Sequence, residues 1–138
     1  MKLTKPFNLQ QWISNNKNLL KPPVSNKNIY IESDDFIVMI VGGPNARKDY
    51  HYNETEELFY QLEGNIQVAV QTENGKEVLE LGVGDMFLLP AKMPHSPIRT
   101  ENSVGLVVER KRNNSNAKDG LLWFCDHCNH KLHEVYFP

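Results

Sequence analysis

The sequence predicts an all-β fold, a jelly-roll β-barrel with a short N-terminal helix. Short β-rich runs begin near residue 28, and turn residues separate them at intervals of roughly 8–12 residues. Eight or so such strands favour a jelly roll. Helical spacing of apolar residues is confined to the start of the chain. The 138 residues suffice for a single domain with one core.

The helix is predicted over residues 8–20, with Asn8 as its cap and Pro22-Pro23 as its end. Asn74-Gly75 predicts a tight hairpin turn. The predicted strands cover residues 28–32, 36–41, 57–63, 65–72, 76–81, 86–89 and 104–110. Residues 111–120 are polar and predicted as a loop. We therefore expect a domain over residues 1–120, followed by a C-terminal tail over residues 121–138.

Composition gives no reason to expect a nucleic acid or a membrane as partner. The net charge is −2, and hydrophobic residues make up 40% of the chain. No apolar run approaches the roughly 20 residues that span a bilayer, and the N-terminus has no signal-peptide core. A cytoplasmic location is therefore expected. There, Cys125 and Cys128 are expected as thiols or metal ligands rather than as a disulfide.

The residues that point most directly to chemistry are His51, Glu57 and His95. Two imidazoles and one carboxylate can hold Fe(II) while leaving coordination positions open for substrate and O2. His51 and Glu57 are six residues apart, so on a continuous strand they would share a face, as would Arg47. Arg99 would share a face with His95 if that stretch is extended, although Pro97 argues against a regular central strand.

Each of these residues also has an ordinary explanation. A lone His in a β protein is usually a surface or a satisfied core residue. Glu57 follows two other glutamates, and Arg47 and Arg99 could be solvated surface charges. Glu109 is less ordinary, because it follows the apolar run 104–108, where an unpaired carboxylate is costly. The joint pattern, rather than any single residue, favours a functional site.

That joint pattern resembles the two motifs of the cupin superfamily. Residues 51–64, HYNETEELFYQLEG, approach the first motif, and residues 84–99, GDMFLLPAKMPHSPIR, match the second in spacing. The departures are informative. Asn45 stands at the opening glycine of the first motif, and Asn53 stands where a second histidine is usual. Because Asn53 is not a histidine, three ligands of the usual four remain. In the second motif, Lys92 and Arg99 replace a glycine and an asparagine.

Several blocks in the right order resemble one cupin family, the 3-hydroxyanthranilate 3,4-dioxygenases. The resemblance runs from about residue 7 to the C-terminus. Its blocks are KPPVSNK at residues 21–27, VGGPNARKDYH at 41–51, EELFYQLEG at 56–64, GDMFLLP at 84–90, HSPIR at 95–99, VER at 108–110 and WFCDHC at 123–128.

The resemblance implies an enzyme that opens the ring of 3-hydroxyanthranilate with O2. Its product, 2-amino-3-carboxymuconate semialdehyde, closes to quinolinate, a precursor of NAD. The implied cofactor is Fe(II), with iron supplying the redox step and the protein supplying orientation and a dry pocket. The resemblance implies iron ligation by His51, Glu57 and His95, orientation of the substrate by Arg99 and Glu109, and pocket positions for Arg47 and Asn26. An Arg guanidinium suits the substrate carboxylate.

Cys125 and Cys128 form half of a zinc site, since a structural zinc needs four ligands. Some members of the resembled family complete the site with a second CxxC pair further on. Three explanations are open: a truncated chain, which we favour, ligation by the nearby histidines, or a metal-free pair. The tail could help to cover the pocket or support a homodimer.

Two other classes of function remain open on sequence grounds. A metal-dependent cupin isomerase or epimerase acting on a sugar phosphate would prefer a fourth protein ligand, which Asn53 does not supply. A non-catalytic cupin binding protein would consume no O2 with any aromatic substrate.

Overall fold

The computed structural model describes residues 1–22, 25–112 and 118–138. The chain begins with helix α1 (Leu9–Asn15), and a 3₁₀ helix (Lys17–Leu20) follows. The described strands are β1 (Asn26–Asn28), β2 (Phe36–Gly42), β3 (Tyr50–Tyr52), β4 (Glu57–Glu63), β5 (Ile66–Thr72), β6 (Gly75–Leu81), β7 (Met86–Leu89), β8 (His95–Arg99), β9 (Val104–Arg110), β10 (Asp119–Phe124) and β11 (Lys131–Phe137).

The helix is capped as predicted but is shorter than predicted. The Asn8 side chain accepts a hydrogen bond from the Gln11 N–H at 2.8 Å, which satisfies one of the free donors of the first turn. The α-helical hydrogen bonding stops at Asn15, and the predicted remainder forms the separate 3₁₀ helix. Ile13 of α1 is fully buried and belongs to a small core cluster with Ile40 and Val104. Pro23, half of the predicted helix stop, lies outside the described residues.

The strands form two antiparallel sheets, so the predicted all-β jelly-roll architecture is confirmed. One sheet has the order β1-β2-β9-β4-β7 and the other β11-β10-β3-β8-β5-β6. Between them lies the main core, which contains buried residues from both sheets: Phe59, Ile66, Val68, Val70, Leu81, Leu89 and Val107. Alternation along the strands sends every second side chain into this space.

The same alternation places polar residues on the inner faces of the strands. In β4 the buried positions are Glu57, Phe59 and Gln61, and in β9 the inner row includes Val107 and Glu109. Apolar residues fill most of this space, and the polar members gather around a cavity. The sheets therefore provide both a core and a site from a single set of inward positions.

Four described strands, β3, β8, β10 and β11, were not predicted, and β8 contradicts the expectation drawn from Pro97. β8 is central in its sheet and pairs with β5 from His95 to Arg99. On its other side, β3 pairs with it only at His95. Pro97 therefore has a strand partner on one side only, as at an edge strand, where proline is tolerated.

The first predicted strand is displaced toward the N-terminus, and β1 ends at Asn28 rather than continuing to residue 32. The Asn28 side chain accepts a hydrogen bond from the Tyr30 N–H at 3.2 Å. This asparagine turn redirects the chain away from the strand direction.

The end of the chain forms a hairpin of β10 and β11, and β10 also pairs with β3. The predicted boundary between residues 120 and 121 falls inside β10, and the division into domain and tail stays a prediction. Gly120 lies between Tyr52 and the ring of Tyr136, where a side chain would clash. None of the described helices has the length and apolarity needed to cross a membrane.

Candidate active site

A cavity of about 640 Å³ opens between the two sheets. It is bounded by inward-facing residues of β2, β4, β8 and β9 and by the segment that precedes β3. Seven of the nine residues singled out from the sequence line it: Asn26, Arg47, His51, Glu57, His95, Arg99 and Glu109. Cys125 and Cys128 do not line it. The structure thus gathers residues that are as far as 83 positions apart in sequence, from Asn26 to Glu109, around one space.

His51, Glu57 and His95 meet across the cavity, but not in the way that sequence parity predicted. His51 lies on β3 and Glu57 on β4, and these strands belong to different sheets. The shared-face argument, which extended to Arg47, was therefore wrong, because the chain turns between residues 53 and 56. The residues converge because the two sheets face each other, and because His51 is paired directly with His95.

His95 and Glu57 form the closest contact of the three. His95 Nε2 lies 3.2 Å from Glu57 Oε2, and both side chains are almost fully buried. His95 Nδ1 lies 3.2 Å from the Met93 carbonyl, which can only accept a hydrogen bond. The tautomer with its hydrogen on Nδ1 donates to this carbonyl and leaves Nε2 directed at the carboxylate. Metal-binding histidines characteristically use their other ring nitrogen in this way.

This donor set fits a divalent cation. Ligand atoms at adjacent corners of an octahedron, each about 2.1 Å from the ion, stand about 3 Å apart, close to the separation of the Glu57 and His95 atoms. The rings of His51 and His95 are edge-to-face, with centroids 6.0 Å apart. Within the described residues no three His, Cys, Asp or Glu side chains already form a metal-binding group. Ligation by all three residues would therefore require side-chain movement from these positions.

Asn53 supports Glu57 and does not add a fourth imidazole ligand. It is 4% exposed, and its Nδ2 lies 3.5 Å from Glu57 Oε1. An amide that donates to the carboxylate helps to fix its orientation. Burial and the nearby Arg47 charge lower the pKa of His51, which favours the neutral imidazole that binds metals.

The carboxyl group of Glu57 faces a second carboxyl group, that of Glu109. Glu57 and Glu109 are opposite residues on β4 and β9, and both are buried. Although burial opposes its ionisation, the pKa of Glu57 is lowered by hydrogen bonds with His95 and Glu109. Burial and Glu57 together raise the pKa of Glu109. The pair therefore holds about one negative charge and one proton in the absence of a cation.

Arg99 is a buried cation without an ion-pair partner. It is 6% exposed, its Nη1 has no hydrogen-bond partner, and it joins none of the ion pairs found in the described part of the chain. Burial lowers the pKa of Arg99 to about 10, which still leaves it protonated at neutral pH. A buried, unpaired guanidinium is costly, so this position favours an anionic ligand.

Two further charged residues, which were not predicted from the sequence, pair with residues of the cavity: Asp49 pairs with Arg47, and Arg112 with Glu109. Asp49 binds Arg47 through two hydrogen bonds of 3.0 and 2.9 Å, which lower the pKa of Asp49. Arg112 lies 3.3 Å from Glu109 and 2.5 Å from Asp119. Asp49 stands two residues from Arg47, a spacing that puts side chains on one face of an extended segment, and this was the available signal for that pair.

The remaining predicted residues lie at the margin of the cavity or away from it. Asn26 is exposed on β1 at the cavity wall. Cys125 and Cys128 lie in the turn between β10 and β11, where Cys125 Sγ accepts a hydrogen bond from the His127 N–H at 3.4 Å. Two thiols are half of a structural zinc site, so zinc binding by this pair stays a prediction.

Known proteins are similar to this chain over most of its length. The profile of the family described as 3-hydroxyanthranilic acid dioxygenase matches residues 1–138. A 3-hydroxyanthranilate 3,4-dioxygenase of Xanthomonas euvesicatoria is 53% identical over 136 residues, which are 99% of this chain and 76% of that protein. The 3-hydroxyanthranilate 3,4-dioxygenase of Bacillus cereus is 53% identical over 135 residues, which are 97% of this chain and 74% of that protein.

Among solved structures, a cupin-2 domain protein of Shewanella frigidimarina superposes with a TM-score of 0.58 at 20% identity. The match covers 75% of this chain and all of that one. At this level of identity the likeness concerns the fold, and it supports the cupin architecture.

Proposed function

The chain belongs to the 3-hydroxyanthranilic acid dioxygenase family, and from this premise we propose that it opens the ring of 3-hydroxyanthranilate with O2. The product would be 2-amino-3-carboxymuconate semialdehyde, which feeds quinolinate and NAD synthesis. The observation that carries the proposal is that Arg99, buried and without an ion-pair partner in the described part of the chain, lines the same cavity as the two-histidine, one-carboxylate set. The Arg99 guanidinium suits the carboxylate of such a substrate, and the two histidines and the glutamate suit a metal site with open coordination positions.

The metal is proposed to be Fe(II), held by His51, Glu57 and His95. When bound, iron would supply the redox chemistry with O2 that amino-acid side chains lack. The protein contributes three ligands, leaving coordination positions free, and a buried surrounding that limits access of water. Asn53 keeps Glu57 oriented and leaves the usual fourth position without a histidine.

The other cavity residues are proposed to orient the substrate. Arg99 would bind the ring carboxylate through parallel N–H donors, which fix both its distance and its plane. Glu109 lies opposite Glu57 and can hydrogen-bond the hydroxyl or amine of the ring. Arg47, already oriented by Asp49, would border the substrate and O2, and Asn26 would border the mouth of the cavity.

The test is a single-turnover experiment. The purified protein is loaded with Fe(II) under nitrogen, mixed with 3-hydroxyanthranilate and then exposed to air. The expected result is the near-ultraviolet absorbance of the ring-opened product together with O2 consumption. No new absorbance at verified iron occupancy would reject the proposal in favour of a binding protein or an isomerase, neither of which consumes O2.

Gly105 provides a prediction about the space around Arg99. A Cβ at this position would stand 3.0 Å from Arg99 Nη1 and 2.9 Å from Gln61 Oε1. In Gly105→Ala we expect the guanidinium to be displaced, which should raise KM for 3-hydroxyanthranilate about tenfold, or ~1.4 kcal/mol, at unchanged iron content. Steady-state kinetics would measure this.

Gly82→Ala is the matched control for that prediction. Its added methyl group would meet neighbours only at 3.5 and 3.6 Å, which are ordinary contacts, and its KM should stay at the wild-type value. An unchanged KM in Gly105→Ala would show that the guanidinium does not depend on this space.

Several features remain predictions for separate measurement. They are a cytoplasmic location, assembly as a homodimer, zinc at Cys125 and Cys128, and the division of the chain at residue 120. The sugar-phosphate isomerase alternative would prefer a fourth protein ligand. Asn53 does not support it, because the amide of Asn53 lies against Glu57.

A further inference from the structure

We propose that Asn45 is a positioning residue that fixes the main chain of Arg99, and thereby the guanidinium that takes the substrate carboxylate. Three hydrogen bonds join Asn45 to β8. Its Oδ1 accepts from the Arg99 N–H at 2.7 Å, its Nδ2 donates to the Pro97 carbonyl at 2.9 Å, and its own N–H donates to the Arg99 carbonyl at 3.2 Å. The inference rests on the function proposed above.

The side chain of Asn45 replaces a missing length of β-strand. β3 pairs with β8 only at His51 and His95, so β8 continues to Arg99 without β3 beside it. On the side of β8 that lacks a strand partner, the Asn45 side chain presents one hydrogen-bond acceptor, Oδ1, and one donor, Nδ2. A neighbouring strand would present the same two kinds of group, a carbonyl and an N–H. The amide side chain therefore completes the sheet at the residue that carries the guanidinium.

The segment around Asn45 also holds Arg99 by close packing. A Cβ on Gly43 would stand 2.1 Å from the Thr100 carbonyl oxygen and 3.1 Å from Arg99 Cβ. The Gly43 N–H donates to the Ser103 carbonyl at 3.1 Å. The main chain of residues 43–45 is thus pressed against the end of β8, and only a residue without a side chain fits at position 43.

Arg99 depends on this support because the described residues anchor its guanidinium only weakly. It forms none of the ion pairs among the described residues, and its Nη1 has no hydrogen-bond partner. Its direction is therefore set by its backbone and by packing on Gly105. Loosening the backbone would spread the guanidinium over several positions, which weakens a two-point hydrogen bond to a carboxylate.

The experiment measures ligand affinity under nitrogen in the Fe(II)-loaded protein, with 3-hydroxyanthranilate and with 2-aminophenol, which lacks the carboxylate. In Asn45→Ala we expect about a tenfold loss of affinity for 3-hydroxyanthranilate, less than a twofold change for 2-aminophenol, and unchanged iron content. Asn45 is an exposed residue, so this variant leaves no cavity in the core. Equal losses for both ligands, or none for either, would overturn the proposal.

A double variant separates positioning from a general structural role. If Asn45 acts through Arg99, Asn45→Ala should cost nothing further in an Arg99→Ala background, because coupled residues are not additive. A second full loss in that background would overturn the proposal. Gln71→Ala is the control, since it also loses two amide hydrogen bonds, with Asn129, and should bind both ligands as wild type does.

The same data distinguish failure of this inference from failure of the proposed function. Wild-type protein that neither binds nor turns over 3-hydroxyanthranilate would reject the function. Wild-type protein that does both, with an Asn45→Ala variant of equal affinity, would reject only the role of Asn45.

Discussion

Replacing His95 with alanine is expected to abolish iron retention and turnover together. Its Nε2 faces Glu57 at 3.2 Å, and its Nδ1 lies 3.2 Å from the Met93 carbonyl, so the ring is placed where it would ligate the metal beside the carboxylate. Loss of a partner outside the coordination sphere costs roughly 10–100-fold, and loss of a ligand should exceed this, at about 1,000-fold or more in kcat. Iron per chain and the rate of product formation would measure both effects.

Folding must be checked in this variant because His95 is only 2% exposed. Glu57→Gln nearly conserves volume and removes the charge, so it tests the same ligand set with less disturbance of packing. Both variants should lose iron at an unchanged far-ultraviolet spectrum. His133→Ala is the control, since His133 lies on the exposed strand β11 against Trp123. Stoichiometric iron and normal turnover in His95→Ala would disprove its role as a ligand.

The fold was predictable where local signals agree with each other. β4, β7 and β9 have the bounds expected from the sequence, because each is an apolar or alternating run with turn residues nearby. β3 and β8 were missed for a physical reason. β3 has three residues and β8 contains a proline, so neither has a pattern of its own. Both exist because of pairing with distant strands, which single-sequence periodicity does not contain.

In the candidate site too, features with a local sequence signal were predicted and features set by distant contacts were not. Motif spacing identified His51, Glu57 and His95, and all three line one cavity. The parity argument for His51 and Glu57 failed, because it assumed one strand where the chain crosses between two sheets. The pairing of Glu57 with Glu109, and the hydrogen bonds from Asn45 to Arg99, span 52 and 54 residues. Such contacts depend on how distant segments are brought together in the sheets, which the residue types alone do not reveal.

Arg99→Ala is expected to separate substrate binding from metal binding. The guanidinium is buried and has no ion-pair partner among the described residues, so its favourable partner would be the substrate carboxylate. Hydrogen bonds to charged groups contribute roughly 1.5–3 kcal/mol each. A lost two-point contact should therefore lower the affinity for 3-hydroxyanthranilate about 100-fold or more, at unchanged iron content. Calorimetric titration under nitrogen and iron analysis would measure the two quantities.

The size of this effect should depend on the ligand's own carboxylate. The affinity for 2-aminophenol should fall little in Arg99→Ala, and it could rise, because the variant no longer buries an uncompensated charge. Arg110→Ala provides the matched control, since Arg110 is exposed at the end of β9. Its removal changes the net charge equally without touching the cavity. Equal affinity for 3-hydroxyanthranilate in Arg99→Ala and wild type would refute the role of Arg99 in binding the carboxylate. It would also remove the basis for the proposal that Asn45 positions Arg99 for that contact.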